Sequence, residues 1–132
     1  MDAAWERAVT RGDAAEVRRQ LAAGAHANAR DRYGQTALML AAHRGAMDVV
    51  EALIQAGADL DVTAKYNLSA LMLAIVAGHA AVALTLARAG ADRAIRGTGA
   101  PGFAGHTAFD LAVARGLHAV AAAVHPGADV GM

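Results

Sequence analysis

The chain has 132 residues, 12 basic and 12 acidic side chains, and no formal net charge, so its total charge gives no reason to expect a nucleic-acid partner. It has no cysteine, which excludes disulfides, thiolate catalysis and cysteine metal sites. Alanine occupies 38 positions and aromatics only 4%, a composition that suits close-packed helices with thin cores and argues against a β-sandwich.

The first stretch, MDAAWERAVTRGD, is charged within two residues and lacks the basic-then-apolar order of a secretory signal. The longest apolar run, Ala70 to Ala77, falls far short of the ~20 residues of a membrane helix. No membrane partner is expected, and the expected location is the cytoplasm. Lysine is rare and arginine common, which as a codon argument points to a GC-rich bacterial gene. The length suits one domain, residues 1–132.

Self-similarity dominates the chain. Gly12, Gly45 and Gly78 are spaced by 33 residues, as are Gly24, Gly57 and Gly90. The same step relates Thr36 to Ser69, Leu38 to Leu71, Met39 to Met72 and Ala41 to Ala74. A fixed period of this length marks a stacked repeat. TAFDLAVARG, Thr107–Gly116, is a later copy displaced by five residues, and the insertion falls in RGTGAPGFAGH, Arg96–His106. Four units result, about 1–30, 31–63, 64–101 and 102–132.

Each unit reads as helix, turn, helix, loop. The second helix of unit one, AEVRRQLAA, carries Glu16, Arg18, Arg19 and Gln20, which suit the polar cap a stack needs at its end. In unit two, Thr36 is placed to N-cap a helix over Ala37 to His43, with Leu38, Ala41 and Ala42 on one face. Gly45 stops it. A second helix runs from about Met47 to Ala56 on a stripe of Val49, Val50, Leu53 and Ile54, and Gly57 ends it. Unit three repeats the pattern from Ser69. Unit four repeats it from Thr107, but its second helix, HAVAAAVHPG, is not polar and Pro126 cuts it short. That helix is expected to fray or to be covered by a second molecule.

The segment DRYGQTALMLAAHRGAMDVVEALIQAGADLDV strongly resembles the ankyrin repeat, whose pattern is Asp-x-x-Gly-x-Thr-Pro-Leu-His-Leu-Ala-Ala-x-x-Gly-His, then a Val/Ile-rich helix, then Gly-Ala-Asp. The resemblance covers almost the whole chain and implies an all-α solenoid of stacked helix-turn-helix units with protruding loops or short hairpins. The family's Pro is Ala37, Ala70 and Ala108 here. Its His, which braces the turn by bonding the Thr hydroxyl, is Met39, Met72 and Asp110. Unit three has Ala64 and Asn67 in place of Asp and Gly; Asn tolerates the left-handed backbone such a turn needs.

Little points to catalysis. The six histidines include no His-Glu-x-x-His pair, and their spacings supply too few ligands for zinc. His79 matches the family's structural His after Gly78. Thr36, Ser69 and Thr107 share one repeat position, so capping explains all three hydroxyls. Asp59, Asp61 and Asp92 sit in loops where they can hold backbone N–H groups. GTGAPG follows no strand and precedes no Lys-Ser/Thr, so it reads as a loop insertion and not as a phosphate loop. The expectation is a binding protein with no enzyme activity, no cofactor and no metal.

The resemblance places partner contacts at the loop tips and at the end of each first helix. These positions hold Arg32, Tyr33, Gln35, His43 and Arg44 in unit two, Lys65, Tyr66 and Leu68 in unit three, and Phe103, His106 and Arg115 in unit four. Tyr33 and Tyr66 lie one period apart and are expected side by side. Arg11, Arg44 and Arg115 recur just before the helix-ending glycine, either as a basic wall for an acidic partner or as companions of the helix C-terminus. Phe103 either folds back on the stack or reaches a partner. The functional expectation is a protein–protein interaction module, as an inhibitor, immunity or regulatory protein, with self-association through the last repeat a further option. The rival readings are a nucleic-acid or acidic-ligand binder using the arginine row and, less favoured, an enzyme or metal protein using His43 and His106.

Overall fold

The computed structural model describes residues 1–127. The helices are α1 (Ala3–Thr10), α2 (Ala14–Ala22), α3 (Ala37–Arg44), α4 (Met47–Gln55), α5 (Ala70–Val76), α6 (Ala80–Arg88), α7 (Ala108–Ala114) and α8 (His118–Val124). They form four antiparallel pairs, and the pairs stack. Helices α1, α3, α5 and α7 pack in one row, and α2, α4, α6 and α8 in a second. The end of unit four, residues 128–132, lies outside the described residues.

The period in the sequence follows from how each pair starts and stops. The hydroxyls of Thr36, Ser69 and Thr107 accept bonds from the backbone N–H of Met39, Met72 and Asp110, each at 3.3 Å. Each cap therefore satisfies a donor that the first helical turn leaves open. Thr36 and Ser69 are buried, so these caps also belong to the core. At the far end of α3, Gly45 has φ 72, and a Cβ there would fall 2.6 Å from the ring of His79. His79 Nε2 in turn donates to the His43 carbonyl at 3.1 Å. The Gly45–His79 contact locks unit two to unit three, which makes His79 structural.

The core is one thin continuous layer. Leu38, Ala41, Ala42, Leu71, Ala74, Ile75 and Leu111 line the first row of helices, and Val17, Val50, Leu53, Leu86, Val120 and Val124 the second. Met39 and Met72 are also buried. They cannot make the hydrogen bond of the histidine they replace, and they hold the turn by filling space instead. In unit four the same position is polar. The Asp110 carboxylate accepts from the Thr107 N–H at 3.0 Å and from its hydroxyl at 3.2 Å, completing a reciprocal capping box. Those bonds, the backbone one first, hold the Asp110 carboxyl below its ordinary pKa.

Loop Asn and Asp side chains stitch the units by accepting from backbone N–H groups one unit on. Asp59 N–H donates to Asn28 at 2.7 Å and Asp92 N–H donates to Asp61 at 2.8 Å. At the last pair, α8 packs on both α6 and α7, and Val120 and Val124 are buried. Its other face carries Ala119 and Ala122, both exposed.

Candidate partner-binding groove

Two loop tips and the insertion make the site. At the unit-two tip, the Asp31 carboxylate accepts from the N–H groups of Tyr33 and Gln35, both at 2.9 Å. The resulting turn lifts Tyr33 clear of the stack, where it is 63% exposed. The Arg32 guanidinium sits over its ring, 5.0 Å from the centroid.

Unit three lacks that aspartate and builds its tip differently. Residues Lys65–Asn67 form a single 3₁₀ turn. Asn67 takes φ 56, as its residue type allows, but Tyr66 is left-handed too, with φ 60. For a residue with a Cβ that conformation costs on the order of 1–2 kcal/mol. Backbone held in this way needs neighbours that over-determine it. The insertion supplies them. Thr98 N–H donates to the Tyr66 carbonyl at 2.8 Å, and the Asn67 side-chain amide donates to the Arg96 carbonyl at 3.0 Å. The Phe103 ring lies against Tyr66 with centroids 5.4 Å apart, and Lys65 Nζ covers the Tyr66 ring at 4.9 Å.

The insertion is itself tied down. Gly97 N–H donates to the His106 carbonyl and Gly105 N–H to the Gly97 carbonyl, each at 2.9 Å, while Arg96 donates to the Gly105 carbonyl at 2.6 Å. Two glycines allow the close approaches. A Cβ on Gly97 would meet the Phe103 carbonyl oxygen at 2.4 Å, and one on Gly99 would meet the Tyr66 ring at 2.8 Å. Of the two alternatives for Phe103, the ring folds back on the stack and is half-buried.

Between these parts runs a groove of about 480 Å³ lined by Tyr33, Gln35, His43, Ala64, Lys65, Tyr66, Leu68, Leu73 and Phe103. Its walls are the three aromatic rings. Its floor is apolar: Leu68, only 4% exposed, belongs there and does not project as a tip residue. No carboxylate lines it.

Four of the sequence-selected positions lie outside the lining. Arg32 stands behind Tyr33. Arg44 follows His43 and is exposed. His106 turns its Nδ1 toward the Gly102 carbonyl at 3.2 Å, inside the insertion. Arg115 is exposed and donates to the Leu111 carbonyl at 3.5 Å, which fits the companion-of-the-helix-end reading. Among the described residues, none of Arg11, Arg32, Arg44, Lys65 and Arg115 has a carboxylate within ion-pair range. Nor do any three His, Asp or Glu side chains among them come together as a metal site.

Sequence reasoning overlooked Ala64 and Leu73 as lining residues, the left-handed Tyr66, and the capping role of Asp110. Only the last had a local signal, the Thr-x-x-Asp spacing.

No helix of the described residues is long and apolar enough to cross a membrane. No curated protein matches the chain. The family model for ankyrin repeats, in three copies, matches residues 5–96, from Trp5 through the third helix pair to the start of the insertion. With its stacked helix pairs and a match over more than half its length, the chain belongs to the ankyrin-repeat family.

Proposed function

We propose that this protein is a non-catalytic module that binds a partner protein through its concave face and loop tips. Ankyrin repeats are in general protein–protein interaction modules. One observation carries the specific reading. Tyr33, Gln35, His43, Lys65, Tyr66, Leu68 and Phe103 stand out by repeat position alone, in three different units, and they converge on one groove. A tip row bearing tyrosines and unpaired cations has the composition of interface anchors, and it suits a partner with an acidic surface.

A preformed surface of this kind suits a protein that occludes its partner, as an inhibitor, an immunity protein or another regulator does, and a cytoplasmic setting fits a chain without cysteine. Self-association through the last helix pair is the second partner reading. It is favoured by Val113, 55% exposed on α7, and by the exposed Ala119 and Ala122 on α8.

The test is affinity capture from the protein's own cells with the wild type and with a Tyr33→Ala, Tyr66→Ala, Arg44→Ala variant, alongside thermal melts of both. A partner held by the wild type and lost by the variant at unchanged melting temperature supports the reading. Equal capture by both refutes it. The nucleic-acid rival predicts retained nucleic acid and affinity falling steeply with salt.

A further inference from the structure

The repeat pattern does not by itself account for the groove, because one of its walls is the insertion. Phe103 stands there against Tyr66, and Gly99 lets the two segments meet. We propose that the groove is an anchor site for one large apolar side chain of an acidic linear segment, and that the insertion at 97–105 determines which side chain it accepts. This rests on the interaction-module reading and narrows it to a class of partner.

The shape argues for an anchor. The volume, about 480 Å³, is that of a ligand-sized cleft. The floor at Leu68 and Leu73 lies below rings from three units, so a flat protein face would bridge the rim without reaching it. A protruding Phe, Trp, Leu, Ile or Met would reach it and would bury apolar surface on three sides.

The charges argue for acidic flanks. Lys65 is held over the Tyr66 ring at the rim and Arg32 over the Tyr33 ring just behind it, and neither has a carboxylate partner among the described residues. His43 adds an imidazole to the groove lining that can hydrogen-bond a carboxylate. Carboxylates on either side of the anchor would meet these groups as it enters, whereas lysines there would be repelled. Single-stranded nucleic acid also pairs aromatics with cations. Here, however, Lys65 covers the Tyr66 face on which a base would have to stack, and the chain as a whole is neutral.

The test is selection of peptides from a random 12-residue library displayed on phage, followed by titration of the enriched peptides into wild type, Phe103→Ala and Lys65→Glu proteins. Backbone amide shifts locate the binding site, and circular dichroism checks that the variants fold. The expected consensus is one large apolar residue between Asp or Glu. Replacing that residue by Ala is expected to weaken binding about tenfold or more, as for an anchor in a desolvated pocket, and so are Phe103→Ala and Lys65→Glu. Lys65 is exposed, so its charge reversal keeps the test decisive if Phe103→Ala misfolds. Peptides without an anchor, amide shifts confined to residues outside 31–35, 43, 64–73 and 97–105, no enriched peptide, or a dT12 oligonucleotide binding at these residues would each overturn the proposal. Peptides that bind elsewhere on the concave face would overturn it while leaving the interaction-module reading intact. Equal capture of the natural partner by wild type and the triple variant would instead remove that broader reading.

Discussion

Gly99 is where the insertion passes close against the Tyr66 ring, and Gly99→Ala tests whether that contact is integral to the fold. Two costs arise. The first is conformational: Gly99 has φ 79, and an L-residue there pays on the order of 1–2 kcal/mol. The second is steric, because the new Cβ would lie 2.8 Å from Tyr66 Cδ1. That ring cannot easily retreat, since Phe103 and Lys65 pack on it. Overpacking of this kind typically costs about 1–3 kcal/mol. Gly57 provides the control. It has the same φ of 79, and a Cβ added there would have nothing within 4 Å, so Gly57→Ala pays the conformational cost alone. Urea unfolding followed by Trp5, the one tryptophan and a buried one, together with far-ultraviolet circular dichroism, would compare the two variants. Gly99→Ala is expected to be the less stable by about 1–3 kcal/mol. Equal destabilisation would mean that the insertion does not press on Tyr66, and the account of the groove wall would fail.

Leu71 is fully buried in α5, between α3 and α7; Leu71→Ala should cost roughly 2–5 kcal/mol in urea unfolding, whereas the same truncation at exposed Val113 should stay within about 0.5 kcal/mol. Asp110 should make stability acid-sensitive. Its folded pKa lies below its unfolded value, so its contribution is complete above the unfolded carboxylate range near ~3.9 and is lost as pH falls through the lower folded value. The stability gap between wild type and Asp110→Asn should therefore hold steady well above ~3.9 and narrow as pH falls below it; a gap that stays constant in acid would contradict the capping box. Amide exchange should be faster in α8 than in α4, because α4 lies between two neighbours of its row and α8 has one; equal protection would mean that something else covers the last helix.

The helix pairs were legible in the sequence because the stack makes the same demands of every unit. A hydroxyl must cap at Thr36 and Ser69, a leucine must fill the core at Leu38 and Leu71, and a glycine must turn left-handed at Gly45. Those demands recur at 33 residues and need no tertiary information. The tip positions were legible as what the demands leave over. The form of the groove was not, because it depends on contacts across the period. Nothing local says that Thr98 will hold the Tyr66 carbonyl, or that Arg96 will take the Asn67 amide and so make up for the missing aspartate and glycine of that turn. The insertion could be located by its shift of register, but not the side of the stack on which Phe103 would settle. At Asp110 the position reads as a departure from the family's histidine, while the spacing to Thr107 independently marks a cap.

The most direct test of the central claim is hydrogen exchange on the protein with its captured partner bound. Protection gained at 31–35, 64–68 and 97–105, with the second-row helices unchanged, is the predicted result. Protection confined to α8, or to the face formed by α2, α4 and α6, would contradict it.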